Sequence, residues 1–162
     1  MIKAKKYNRG FTLLELLIVV AIIGLLASMI LVGLSSFRSR GRDARRISDV
    51  KQAQNGLEIY YAKETKYPVV SYTSALDSWN TMTAAITGAG IGITQISQDP
   101  LGEEHSYAYA SDPDDGSNPQ SYVIAVILED SSSQSLKNDL DGTIFGIDCG
   151  DANADTVYCV QF

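Results

Sequence analysis

The sequence predicts an α+β fold, one long N-terminal helix followed by a small antiparallel sheet. Three observations carry that expectation. An unbroken apolar run occupies 16–34. Apolar residues at three-and-four spacing continue from Ile47 to Tyr61, the signature of one helical stripe. Beyond Tyr107 the pattern changes to short segments rich in Tyr, Val and Ile, bounded by Asp, Gly, Asn and Pro, which read as strands and turns.

From Leu16 to Leu34, 19 residues, the only side chain with a strong hydrogen-bonding group is Ser28. A helix of about 20 apolar residues spans a bilayer core, so this stretch is expected to cross or enter a membrane. Glu15 stands near its start, and a charge lying deep there costs roughly 2.5 to 3.5 kcal/mol on insertion scales, so it needs a partner. Before the run, Met1 to Gly10 is short and basic, with Lys3, Lys5, Lys6 and Arg9 and no acid. An ordinary secretory signal carries its small-residue cleavage site after the apolar core. Here Gly10 precedes the core, so cleavage there leaves the apolar helix on the mature chain.

Lys6-Tyr7-Asn8-Arg9-Gly10 followed by Phe11-Thr12-Leu13-Leu14-Glu15 and Leu16 to Ala27 resembles the class III signal of type IV prepilins and pseudopilins. The resemblance implies that a membrane-embedded prepilin peptidase cuts after Gly10, the last leader residue, and methylates the new N-terminal residue, Phe11. It identifies Glu15 with the family's glutamate, which meets the amine of a neighbouring subunit and sets the axial stagger of a homo-oligomeric filament. A buried unpaired charge is costly and a paired one is tolerable, which is the physical sense of that contact. The resemblance further implies an inner-membrane assembly platform as partner and lipid as the surroundings before assembly. The head is then outside the cytoplasmic membrane, and the product is an extracellular pilus or a periplasmic pseudopilus.

On this reading the chain has five segments: a cleaved leader 1–10, a transmembrane and filament-core helix 11–35, the amphipathic half of the helix 36–66, a connecting segment 67–105, and an antiparallel sheet with a C-terminal loop 106–162. Residues 36–162 form one globular head, and the architecture implied is the pilin lollipop. Gly24 and Gly33 lie within the apolar run, and each costs up to about 1 kcal/mol of helix propensity relative to alanine. Local unwinding inside a fibre and close packing of neighbouring helices are equally good reasons for them.

The formal charge of −6 conceals an asymmetry. Beyond Tyr67 the chain has fourteen acidic residues and a single base, Lys137. Such a head resists aggregation and offers no electrostatic footprint for nucleic acid. The bases cluster instead at Arg38, Arg40, Arg42, Arg45 and Arg46, just after the apolar run. Positive charge therefore flanks the run on both sides, and the positive-inside rule does not orient it. Two readings of the arginines stand together: anchoring to anionic lipid head groups, and pairing with the acidic heads of neighbouring subunits.

In the amphipathic half, Ile47, Val50, Leu57 and Tyr61, with Ala53 and Tyr60 beside them, form the stripe expected to face the sheet. Asp43, Arg46, Asp49, Lys51, Glu58 and Lys63 occupy much of the remainder. Tyr67-Pro68 ends the helix, because the residue before a proline avoids helical dihedrals. This half, through Tyr67-Pro68, is also similar to the exposed half of the helix in major pilins and in the major pseudopilins of type II secretion.

Leu76, Trp79, Met82, Thr83 and Ile86 are spaced for a second amphipathic helix from about Ser74 to Thr87, with Trp79 as its buried anchor; Gly88, Gly90 and Gly92 follow. Asp99-Pro100-Leu101-Gly102 is a turn signal. Together with Tyr107-Ala108-Tyr109 it resembles the Asp-Pro-Trp-Gly turn and tyrosine strand of major pseudopilins, with Leu101 in place of the tryptophan. His105, the sole histidine, lies in a polar turn and reads as incidental. Strands are expected at 106–110, 121–128, 143–147 and 156–162, with a polar hairpin loop at 112–119.

Cys149 and Cys159 enclose nine residues. Spacing alone does not separate a bridge from two thiols, but two cysteines in an exported head favour a disulfide, worth roughly 2 to 3 kcal/mol for so short a loop. Its expected role is to hold a loop-rich tail. Many type IV pilins carry their disulfide loop in this position. No cofactor is required by any motif. Calcium at Asp139 and Asp141 competes with the reading of solvated acidic turns. Asp151-Ala152-Asn153-Ala154-Asp155 begins like a calcium loop, but Thr156 stands where glycine is needed and no glutamate closes it. No nucleophile triad, phosphate loop or metal triad supports an enzyme. The expected function is a structural subunit of a type IV pilus serving adhesion, motility or DNA uptake. The alternatives are the major pseudopilin of a type II secretion-like or competence machine, and a tip adhesin. Glu15 argues against a tip-initiating subunit and the small head against an adhesin.

Overall fold

The computed structural model describes residues 11–112, 117–150 and 156–162, with the side chains of 29–33 and 104 outside that description. The first helix, α1 (Leu13–Glu64), is unbroken in its backbone across both Gly24 and Gly33. It stops at Glu64 rather than at the proline: Thr65 takes a left-handed φ of 59° while its amide still reaches the Tyr61 carbonyl at 2.7 Å, and Tyr67-Pro68 lies just beyond the stop. The chain divides between Arg38 and Ser39 into two compact units.

In the second unit, α1 is followed by α2 (Ala75–Gly88) and five strands, β1 (Ala108–Ser111), β2 (Tyr122–Ile127), β3 (Thr143–Ile144), β4 (Ile147–Asp148) and β5 (Val157–Gln161). The fold class is α+β, as expected. Ser74 caps α2 by accepting the Asp77 amide, which sets its start one residue inside the expected range. The main sheet is antiparallel in the order β1-β2-β5, with Ala125 opposite both Ala108 and Cys159. The single strand expected at 143–147 is in fact a two-stranded hairpin, β3 and β4, turned at Phe145-Gly146 with both residues at positive φ. Short 3₁₀ turns at Glu103–His105 and Gln134–Lys137 were not foreseen.

Alternation along β1 and β2 sorts the side chains onto two faces. Tyr109, Tyr122, Ile124 and Val126 face a core completed by Val50, Ala53 and Leu57 of α1 and Trp79, Met82 and Ile86 of α2. Both amphipathic stripes therefore meet where the spacing placed them. Trp79 is buried as expected, donates from Nε1 to the Ser97 carbonyl at 3.2 Å, and meets Tyr107 edge-on. Gly56 lies under this layer: a Cβ there would come within 3.3 Å of Ile93 Cδ1. The opposite face is small, with Ala108, Ala110, Val123 and Ala125, and it is covered by Ile147 and Cys149 of the hairpin segment. The Cys149–Cys159 disulfide forms, with a Cα–Cα distance of 5.7 Å and both residues buried. Its role differs from the expected one. Cys159 is itself within β5, so the bridge fastens the hairpin segment over the sheet rather than holding a loose tail.

The borders of the sheet are occupied. On β1 the Tyr109 amide donates to the Ser78 hydroxyl at 3.2 Å, and the Ser111 amide donates to the Val70 carbonyl at 3.1 Å. On β5 the Cys159 amide donates to Asp139 Oδ2 at 3.1 Å and its carbonyl accepts from the Leu140 amide at 3.4 Å.

Candidate functional site

Glu15 sits in the first turn of α1, and its carboxylate is engaged from the start. The Thr12 amide donates to Glu15 Oε2 at 2.8 Å, the Thr12 hydroxyl donates to the same oxygen at 2.7 Å, and the Glu15 amide donates to Thr12 Oγ1 at 3.2 Å. This reciprocal arrangement is a capping box, and it satisfies two amides that no helical carbonyl reaches. The signal for it is in the sequence, Thr12 followed three residues later by Glu15 ahead of an apolar run. Around it Phe11, Leu13, Leu14 and Leu16 are exposed, Phe11 by 86%. Gly10 lies outside the described residues. The arrangement presents one fixed carboxylate, a single turn from the residue that cleavage would expose, on an otherwise apolar helix end. Among the described residues no helix is long and apolar enough to cross a membrane.

The arginine cluster is where structure and expectation part. Arg40, Arg42 and Arg46 meet acids of their own chain, Arg46 fully buried and the Arg40 side chain still 61% exposed. Arg46 is fully buried and forks onto Asp99, Nε to Oδ2 at 2.6 Å and Nη2 to Oδ1 at 3.1 Å, while Nη1 reaches Asp43 and Glu129 at 2.8 Å each. Arg42 pairs through two nitrogens with Glu129, and Arg40 approaches Asp130 at 3.1 Å. Asp43 in turn accepts the amides of Glu129 and Asp130. Asp49 accepts the Tyr107 hydroxyl at 2.9 Å. Asp43, Arg46 and Asp49, expected among the polar remainder of the helix, are thus buried. A charge removed from water must be paired and hydrogen-bonded to persist, and these are.

Electrostatics follow the geometry. Burial works against the Arg46 charge, but the hydrogen bonds it donates to Asp99, Asp43 and Glu129 outweigh it and raise its pKa. The Arg42 hydrogen bond, with that of Arg46, holds the Glu129 carboxyl down at about 2. Burial, then the Asp49 hydrogen bond, pushes the Tyr107 hydroxyl above its ordinary value. The Asp99 turn forms as predicted, the Gly102 amide reaching the Asp99 carbonyl at 3.1 Å with Gly102 at φ +92°. What the turn signal did not disclose is that the Asp99 carboxylate also receives Arg46.

Asp139 accepts the Cys159 amide, Asp141 is exposed, and among the described residues no group of three or more His, Cys, Asp and Glu is placed to hold a metal ion. Asp151, Asn153 and Asp155 lie outside the described residues. His105 is exposed at the end of its 3₁₀ turn.

Residues 5–31 match the family described as the prokaryotic N-terminal methylation motif. The chain is 31% identical over 106 residues to the type II secretion system core protein G of Aeromonas hydrophila, a match covering 62% of this chain and 73% of that protein. It is 33% identical over 69 residues to the protein of the same name from Escherichia coli (strain K12), covering 43% and 48%. The type IV major pilin protein PilA of Myxococcus xanthus is 35% identical over 60 residues, covering 37% of this chain and 27% of that one. No solved structure matches.

Proposed function

Because the chain belongs to the family of type II secretion core protein G and type IV pilins, we propose that it is a structural subunit, cleaved after Gly10, methylated at Phe11, and joined to its neighbours through Glu15. The observation that carries this is the methylation motif over residues 5–31. It brackets the Gly10-Phe11 junction and places the capped carboxylate of Glu15 four residues beyond it. The exposed apolar face of the first helix supports a lipid home before assembly and a packed bundle of helices afterwards. The subunit has no catalytic role in this proposal; the peptidase and the assembly platform act on it. In the fibre the freed Phe11 amine of one copy faces the Glu15 carboxylate of the next, replacing two costly isolated charges with one neutralised pair.

Two forms of the fibre are supported equally. The Asp99-Pro100 turn and the Aeromonas relative favour a secretion pseudopilus, and the Cys149–Cys159 loop and the Myxococcus relative favour a pilus. A calcium ion near Asp139 and Asp141 is an accessory proposal; a fall in melting temperature on chelation supports it and an unchanged one removes it.

The test is Glu15→Ala in cells that process the wild-type chain. Membrane insertion and cleavage continue and filaments vanish; normal filaments from the variant defeat the proposal. Electron microscopy of the cell surface then separates the forms, long fibres meaning pilus and their absence with a secretion defect meaning pseudopilus.

A further inference from the structure

We propose that Arg45 and the polar cleft beside it receive a carboxylate from a second copy of this chain, an inference that rests on the filament reading above. Arg40, Arg42 and Arg46 each lie within 3.1 Å of an acid of their own chain, and Arg45 does not. Its side chain is 60% exposed, and its ion pair with Asp49 is long, 3.8 Å to an oxygen that already accepts the Tyr107 hydroxyl at 2.9 Å. At that distance the attraction is Coulombic only, and the guanidinium donors stay available.

The cleft holds about 620 Å³ and is lined by Arg45, Thr83, Thr87, Thr94, Gln95 and Gln98, with Asp99, Ser97, Ile96 and Pro100 completing it. Hydroxyls and amides dominate, and the charge of Asp99 is already taken up by Arg46. A guanidinium ringed by neutral donors suits an anion, and a carboxylate matches its fork. Copies of this chain supply carboxylates in excess, with fourteen acids against Lys137 beyond Tyr67 and Asp77, Glu103, Asp141 and Asp148 exposed. Each copy therefore brings both halves of the contact.

Arg45→Cys gives the full chain a single reactive thiol, because both native cysteines are locked in the buried bridge. In cells that process and assemble the chain, a maleimide labels unassembled subunits freely and filaments about tenfold more slowly or worse, as expected of a desolvated contact. Arg45→Glu lowers filament yield by about tenfold or more with the melting temperature of the head unchanged. Reversing the acids of 67–162 one at a time restores the yield at one of them. Equal labelling in subunit and filament, full yield from Arg45→Glu, or rescue at no acid overturns the inference. Protection already present in membrane-held subunits assigns Arg45 to lipid phosphate and overturns it too. Absence of wild-type filaments sinks the filament reading instead.

Discussion

The two ends of α1 solve opposite problems. Near its start, Leu13 to Leu26 leave large apolar side chains exposed, and the one charge, Glu15, is satisfied within its own turn by Thr12. Between Asp43 and Leu57 the side chains of Val50, Ala53 and Leu57 are covered, and buried Arg46 is satisfied by residues far along the chain, Asp99 and Glu129. The buried part of the second stretch is complete within one molecule. The first leaves an apolar surface exposed, and exposed apolar patches of this kind mark interaction sites. The difference teaches where assembly acts: variants of the buried side chains of the second stretch register as stability of the head, and variants of the first, with exposed Arg45, register as association.

The sharpest break in that division is Arg46→Ala. It strands Asp43, Asp99 and Glu129 around a vacated site, and removing one partner of a buried ion pair costs about 3 to 5 kcal/mol. Thermal unfolding of the head measures it, and a loss below about 1 kcal/mol contradicts a structural role for the network. Cys149→Ser comes next. It releases the hairpin segment from the small face of the sheet at a cost of roughly 2 to 3 kcal/mol, read as a lowered denaturant midpoint.

Acid gives a smaller, graded effect. Glu129 titrates near 2 in the folded head against an ordinary value of 4.5, so the folded state binds fewer protons. The stability it contributes is present above about pH 4.5 and is lost as pH falls toward 2. Glu129→Gln flattens that part of the curve, and an unaltered acid limb removes Glu129 as its source. The mildest change is Thr12→Val, which opens the capping box and frays the first turn by about 1 kcal/mol. Hydrogen exchange at 12–15 accelerates while the melting temperature of the head holds; a shifted head would dissolve the division between the two stretches.

The long helix, α2 and the sheet were legible because burial there follows period, as Val50, Ala53 and Leu57 or Trp79, Met82 and Ile86 illustrate. The charged hub was not, because acids and bases on a helix read by default as its wet side. A phase signal was nonetheless present. Asp43 and Arg46 continue the stripe of Val50, Ala53 and Leu57 backwards in the same alternation of three and four, so side chains in register with a core stripe should be expected inside it even when charged. The Arg46–Asp99 pair itself joins segments 53 residues apart, which no local pattern discloses. The hairpin at 143–148 escaped because Phe145 occupies a left-handed position that usually calls for asparagine or glycine.

The occupied borders of the sheet matter once many heads are crowded along a fibre. Unguarded strands at that local concentration zip into one another and do not let go. With the Ser78 hydroxyl seated on β1 and Asp139 on β5, such zippering is blocked at those points. Copies packed side by side are thereby steered to meet through other surfaces.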